Sequence, residues 1–188
     1  VGQLKERAPS TPAGELVAAA AGGGVSAAAA SPVELIMVQQ QRFGGGLLPV
    51  ARRLLADYGA GARGMMRGLG PAILRDSIYV CGLLGLAPLV QRKLVQRLEL
   101  PGSTASAYAS VVGGVTAGVL SHPFDVVKTC MQGDMAGARY GGVLETTRAL
   151  LREGGAARLF SGVSWRTLNI TATVWIANEC SQRLPPLL

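Results

Sequence analysis

At 188 residues the chain has the length of one ordinary soluble domain, yet 49% of it is hydrophobic, 15% is charged and its mean hydropathy is +0.33. Soluble domains carry about 25% charged residues, so the composition argues for a bilayer as solvent. The net charge of +7 comes from Lys and Arg scattered between apolar segments, with only 5% aromatics; this argues against a nucleic-acid face, where bases cluster beside aromatics, and fits lipid headgroups or an anionic solute. Cys81, Cys130 and Cys180 lack metal spacing and are odd in number. They read as small buried side chains in a reducing compartment, with neither a disulfide framework nor a metal site.

In chain order, residues 1–12 are polar and proline-bearing and read as a linker or inter-repeat segment, with no secretory signal. Residues 13–41 form the first membrane-length helix, with Gly22, Gly23 and Gly24 followed by Ala27 and Ala28 at the four-residue spacing that lets helices approach closely in lipid. The residues also admit a flexible Ala/Gly linker there. The run RFGGG breaks the helix, and residues 49–58 form a short amphipathic surface helix opened by Pro49. After a second glycine-rich break, residues 71–94 form another membrane-length helix with Arg75 and Asp76 in it.

The order then repeats: a membrane helix over 106–132 with Gly114 and Gly118 four apart, a surface helix over 143–153, and a last membrane helix over 163–183. One 91-residue offset carries Pro32 to Pro123, Glu34 to Asp125 and Gln41 to Gln132. Self-similarity at a long fixed period marks one structural unit used more than once. The chain is therefore expected to be an all-α membrane protein of two units, 13–99 and 100–188, with four membrane helices and two surface helices.

Proline inside a membrane helix removes a backbone hydrogen bond and bends the helix, so Pro32 and Pro123 mark kinks. An acid two residues later is costly in lipid and belongs in a protein interior or aqueous cavity. In the second unit Lys128 follows Asp125 by three residues, on the same helical face, and Gln132 lies one turn further, able to donate and accept beside such a pair.

This proline–acid–base–glutamine pattern, set after a small-residue helix and repeated, resembles the mitochondrial carrier family, and PFDVVKTCMQ (123–132) is similar to the family signature. The resemblance implies a pseudo-threefold barrel of six helices from three repeats, of which these units match the second and third. It implies a multi-pass solute carrier of the mitochondrial inner membrane that exchanges an amino acid or related zwitterion by alternating access. A degenerate carrier acting as an accessory subunit of a membrane complex is the alternative. A first repeat or a partner protein is expected to close the barrel.

Carried over by resemblance, Glu34, Asp125 and Lys128 form the matrix gate, braced by Gln41 and Gln132, while Met37 stands where the first unit should have its base. Arg75 and Asp76 fall at the solute-contact position, where a guanidinium grips a carboxylate and an acid receives a cation; an internal Arg–Asp pair is the plainer use. In the second unit, one count gives Asn169 and another Arg166; three apart on one helix face, both point to the same wall of the cavity, with Arg166 the preferred charge there and a lipid-headgroup anchor as its alternative use. Glu179 and Gln182 are a partial cytoplasmic gate. Arg67, Gly68, Gly142 and Gly162 match the turns that offer helix N-termini to cardiolipin phosphates. His122 reads as a capping or packing residue, and no enzyme site, metal site or cofactor is expected beyond bound cardiolipin.

Overall fold

The computed structural model describes residues 12–61, 63–82, 86–99 and 101–183. Among the described residues there is no strand. Seven helices follow in order: α1 Pro12–Phe43, α2 Leu47–Tyr58, α3 Leu69–Cys81, α4 Ala87–Leu98, α5 Gly102–Gly133, α6 Val143–Leu159 and α7 Val163–Arg183. Residues 1–11, most of the expected linker, lie outside the described set. The helix expected over 71–94 is described in two pieces, α3 and α4, with right-handed helical backbone still present at Gly82 and Leu86 on either side of residues 83–85.

Two stretches, Ala20–Phe43 in α1 and Thr104–Gly133 in α5, are long and apolar enough to cross a bilayer. Among the described residues this is two such stretches where four were expected. α3 and α4, on either side of residues 83–85, are 13 and 12 residues long as described, each below the ~20 a span needs. α7 has the length, but Arg166, Asn169 and its Ser and Thr residues dilute its apolar content. Pro32 and Pro123 both lie inside their helices.

α5 is the hub. α1, α3, α4, α6 and α7 all pack on it, and α3 packs most heavily on α1. The α1–α3 contact is backbone to backbone, since a Cβ on Gly23 would sit 2.8 Å from the carbonyl oxygen of Asp76. Any larger residue at 23 would push α3 outward, and with it Arg75 and Asp76. Glycine thus sets how near these two charged residues come to α1.

Each surface helix covers the far half of its own long helix. In α2 apolar positions four apart bury Val50 and Leu54 against Leu35 and Ile36 of α1, with Met65 and Met135 closing the cluster. Burying each such side chain stabilises by about 2 kcal/mol. In α6, Leu150 packs on Val127 and Met131 of α5, beside Tyr140 and Leu159. α6 runs past the expected residue 153: the chain turns at Gly154 and Gly155, where the backbone leaves helical values, and resumes to Leu159.

Candidate functional site

Beside the prolines the helices bring six charged side chains into one network. Arg75 of α3 is its centre: Nε and Nη2 donate to the two oxygens of Asp76 at 2.6 and 3.1 Å, Nη2 also donates to Glu34 Oε1 at 3.0 Å, and Nη1 donates to Asp125 Oδ1 at 3.1 Å. Lys128 Nζ pairs with the other oxygen of Glu34. Arg166 of α7 donates from Nη1 to Asp125 Oδ2 at 2.8 Å and from Nη2 to Ser121 Oγ at 3.3 Å. A continuous chain of alternating charge results, Lys128–Glu34–Arg75–Asp125–Arg166, with Asp76 as a branch. Side chains of Arg75 and Lys128 are 12% and 4% exposed. At that depth, removing one partner leaves an uncompensated charge and is strongly destabilising.

The structure therefore brings together residues that the sequence assigned to two sites. Glu34, Asp125 and Lys128 were expected in a gate and Arg75, Asp76 and Arg166 at a solute-contact level; here they share partners. Asn169 is not among them: it is exposed on α7, whereas Arg166 and Ile170 line the face that meets Gly118 of α5. The side chains of Glu179 and Gln182 lie outside the described set.

The glutamines do not brace the bridges. Gln41 is exposed, and Gln132 is buried with its Nε2 donating to the carbonyl of Arg67 at 3.2 Å. The reason lies one turn beyond the charges, where α5 ends and its last carbonyls need donors. Three side chains from the first unit supply them. Gln39 Nε2 donates to Gln132 O at 2.6 Å, Arg42 Nη1 to Gly133 O at 2.6 Å and Arg67 Nε to Met131 O at 2.8 Å. Arg67 Nη2 continues to Tyr140 O at 2.7 Å. Two of these donors are cationic and face the negative end of the α5 dipole.

The same geometry engages residues expected at the lipid contacts. Arg67 is buried and committed to protein carbonyls, so its side chain does not face a headgroup. Gly142 caps α6, and its N–H donates to Glu145 Oε2 at 3.0 Å in a capping box, which occupies the group expected to meet phosphate. Gly68 and Gly162 precede α3 and α7 with left-handed backbone, φ 82° and 87°. At Gly68 an added Cβ would lie 3.2 Å from Gln132, so the turn presses against α5. Neither Gln39 nor Arg42 was singled out from sequence; the signal was there in donors placed one to two turns after the proline–acid pair.

Below the clamp, Val38, Gln41, Arg42, Thr129, Cys130 and Arg158 help line a cavity of about 590 Å³. Its floor is the 134–140 turn. Asp134 accepts from the backbone N–H groups of Arg139 at 2.7 Å and Tyr140 at 2.9 Å, and from Ala138 at 3.3 Å. Desolvation of Asp134 works against its charge, but these donors outweigh it and hold the carboxyl below the usual carboxylate range. Burial, then the hydrogen bond donated to Glu153, pushes the Tyr140 phenol up. His122 stacks toward Phe160, with Nε2 3.0 Å from Ser161 O, a packing role at the start of the turn before α7.

A family model described as "Mitochondrial carrier protein" matches residues 101–181. The chain is 32% identical over 120 residues to the mitochondrial glycine transporter of Aspergillus fumigatus, a match covering 56% of this chain and 36% of that protein. It is 30% identical over 132 residues to solute carrier family 25 member 45 of Mus musculus, covering 66% of this chain and 44% of that one. It is 33% identical over 121 residues to the probable chloroplastic S-adenosylmethionine carrier 2 of Arabidopsis thaliana, covering 62% and 34%. The chain thus spans less than half the length of these relatives.

Proposed function

We propose that the chain belongs to the mitochondrial carrier family, whose model matches residues 101–181, and that it forms part of an inner-membrane solute carrier for an amino acid or related zwitterion. The observation that carries this reading is the Arg75–Asp76 pair, a guanidinium and a carboxylate side by side in a helix packed between the two spanning helices. A guanidinium binds a carboxylate through two parallel hydrogen bonds, and the adjacent acid receives an ammonium. Ionisable groups in such a setting mark solute pathways. The named solutes of two relatives, glycine and S-adenosylmethionine, share the α-amino acid group, which combines these two charges.

In this reading the two units supply two thirds of a six-helix barrel, and a further repeat or a partner chain closes it. Solute exchange proceeds by alternating access, with the helices that carry Pro32 and Pro123 opening to one side and then the other. Uptake of radiolabelled glycine and other amino acids into liposomes, using the full-length protein, tests it. Uptake that depends on internal amino acid supports exchange; no uptake of any amino acid by correctly inserted protein refutes it.

A further inference from the structure

Resting on the carrier reading above, we infer that Arg75 is a shared residue: the same guanidinium that grips the solute's carboxylate also locks Glu34 of the first unit to Asp125 of the second, so that solute capture and locking exclude one another. The second unit has Lys128 three residues after its acid, and the first has Met37, which is 47% exposed. Among the described residues Lys128 reaches Glu34, Arg166 reaches Asp125, and Arg75 reaches both acids. Arg75 stands in for the base that Met37 does not supply.

The donor geometry makes the sharing exclusive. A guanidinium offers five N–H groups in a fixed planar fork. The Nε–Nη2 edge of Arg75 faces Asp76, and its Nη1 and Nη2 ends face Asp125 and Glu34. A solute carboxylate needs two parallel N–H groups, so it cannot bind bidentately while all three acids hold their places. Capture at the Nη1–Nη2 edge removes the common cation from Glu34 and Asp125. Glu34 then keeps Lys128 and Asp125 keeps Arg166, so the tie that Arg75 makes between the two acids is lost and the Glu34–Lys128 pair alone joins α1 to α5 at this level. Asp76, left on the other edge, receives the solute's ammonium. The solute class follows: a carboxylate with a cation one or two bonds away unlocks the pair, and an amine alone does not.

Thermal unfolding of the full-length protein in lipid nanodiscs tests this through Arg75→Gln combined in turn with Glu34→Gln and with Asp125→Asn. A residue shared by both acids gives double variants whose loss of Tm falls short of the summed single losses by about 3 °C or more in each pair. Additive losses in either pair overturn the inference. Should Arg75→Gln fail to fold, Arg75→Lys replaces it: one ammonium does not span both acids, so the substitution costs more in the wild-type background than in at least one acid variant. Equal cost in all backgrounds overturns it. Glycine uptake by the same preparations separates the two readings. Additive losses with intact uptake refute the shared lock alone, whereas non-additive losses with no uptake of any amino acid uphold the lock and refute the carrier reading.

Discussion

The two units share a proline, an acid and a glutamine at a fixed offset, and they differ in what surrounds them. Their long helices are in register at 91 residues, but the glycines that open α3 and α7, Gly68 and Gly162, are 94 apart. Matched from those glycines, Arg75 corresponds to Asn169, Asp76 to Ile170 and Ala72 to Arg166, while Met37 corresponds to Lys128 on the proline helices. The first unit thus brings Glu34, Asp76 and Arg75 to the network, and the second brings Asp125, Lys128 and Arg166. One set has an excess acid and the other an excess base. Neither unit balances its own buried charge, so each is completed by its neighbour, which is a reason for the units to stay together that no sequence identity between them would reveal.

That complementarity can be broken most severely at Lys128. Lys128→Met gives the second unit the first unit's residue, leaves the network with excess negative charge, and is expected to cost about 4 kcal/mol and to abolish uptake, as read by thermal unfolding and liposome exchange. The reverse change, Met37→Lys, adds a base at an exposed position and is expected to shift stability by no more than ~0.5 kcal/mol. Next in size come the covered faces. Leu54→Ala and Leu150→Ala each empty a fully buried site beneath a surface helix and should cost about 3 kcal/mol apiece; a much smaller loss in one would mark that unit as the looser.

The clamp gives a smaller contrast. Arg67→Ala removes one contact to a carbonyl at the end of α5 and two to carbonyls of the turn after it and should cost about 2 kcal/mol, whereas Arg42→Ala, at an exposed position with one carbonyl bond, should cost less than ~1 kcal/mol. The smallest effect is a pH dependence confined to the second unit. Its turn is built on Asp134, whose carboxyl is held below its unfolded value, while the corresponding break in the first unit is a run of glycines. A depressed folded pKa means that stability is fully present above the unfolded carboxylate value and fades as pH falls through the folded one. Asp134→Asn should flatten that acid limb in a pH series of unfolding curves.

Helical character was legible throughout, because the long apolar stretches of α1 and α5, the amphipathic patterns of α2 and α6 and the glycine runs between them are local signals. The charge network was legible only in part. Each of its six members is an ionisable residue in an apolar stretch, which the pattern rule finds, but the rule says nothing about reach. Counting along α7 placed Arg166 and Asn169 on one wall; packing separates them, since Arg166 and Ile170 face Gly118 while Asn169 is exposed. The clamp was missed for a different reason. Gln39, Arg42 and Arg67 act on backbone carbonyls, and a carbonyl in need of a donor has no side-chain signature.

The clamp has a mechanical meaning. Three donors from the first unit end on three successive carbonyls of the second, Met131, Gln132 and Gly133, one turn beyond the charges. Pulling the units apart there would strand all three acceptors at once, whereas the ion pairs above can be traded for others. The end of α5 is therefore the more fixed of the two joints between the units: on the carrier reading, a release of the charges above it leaves these three backbone contacts closed.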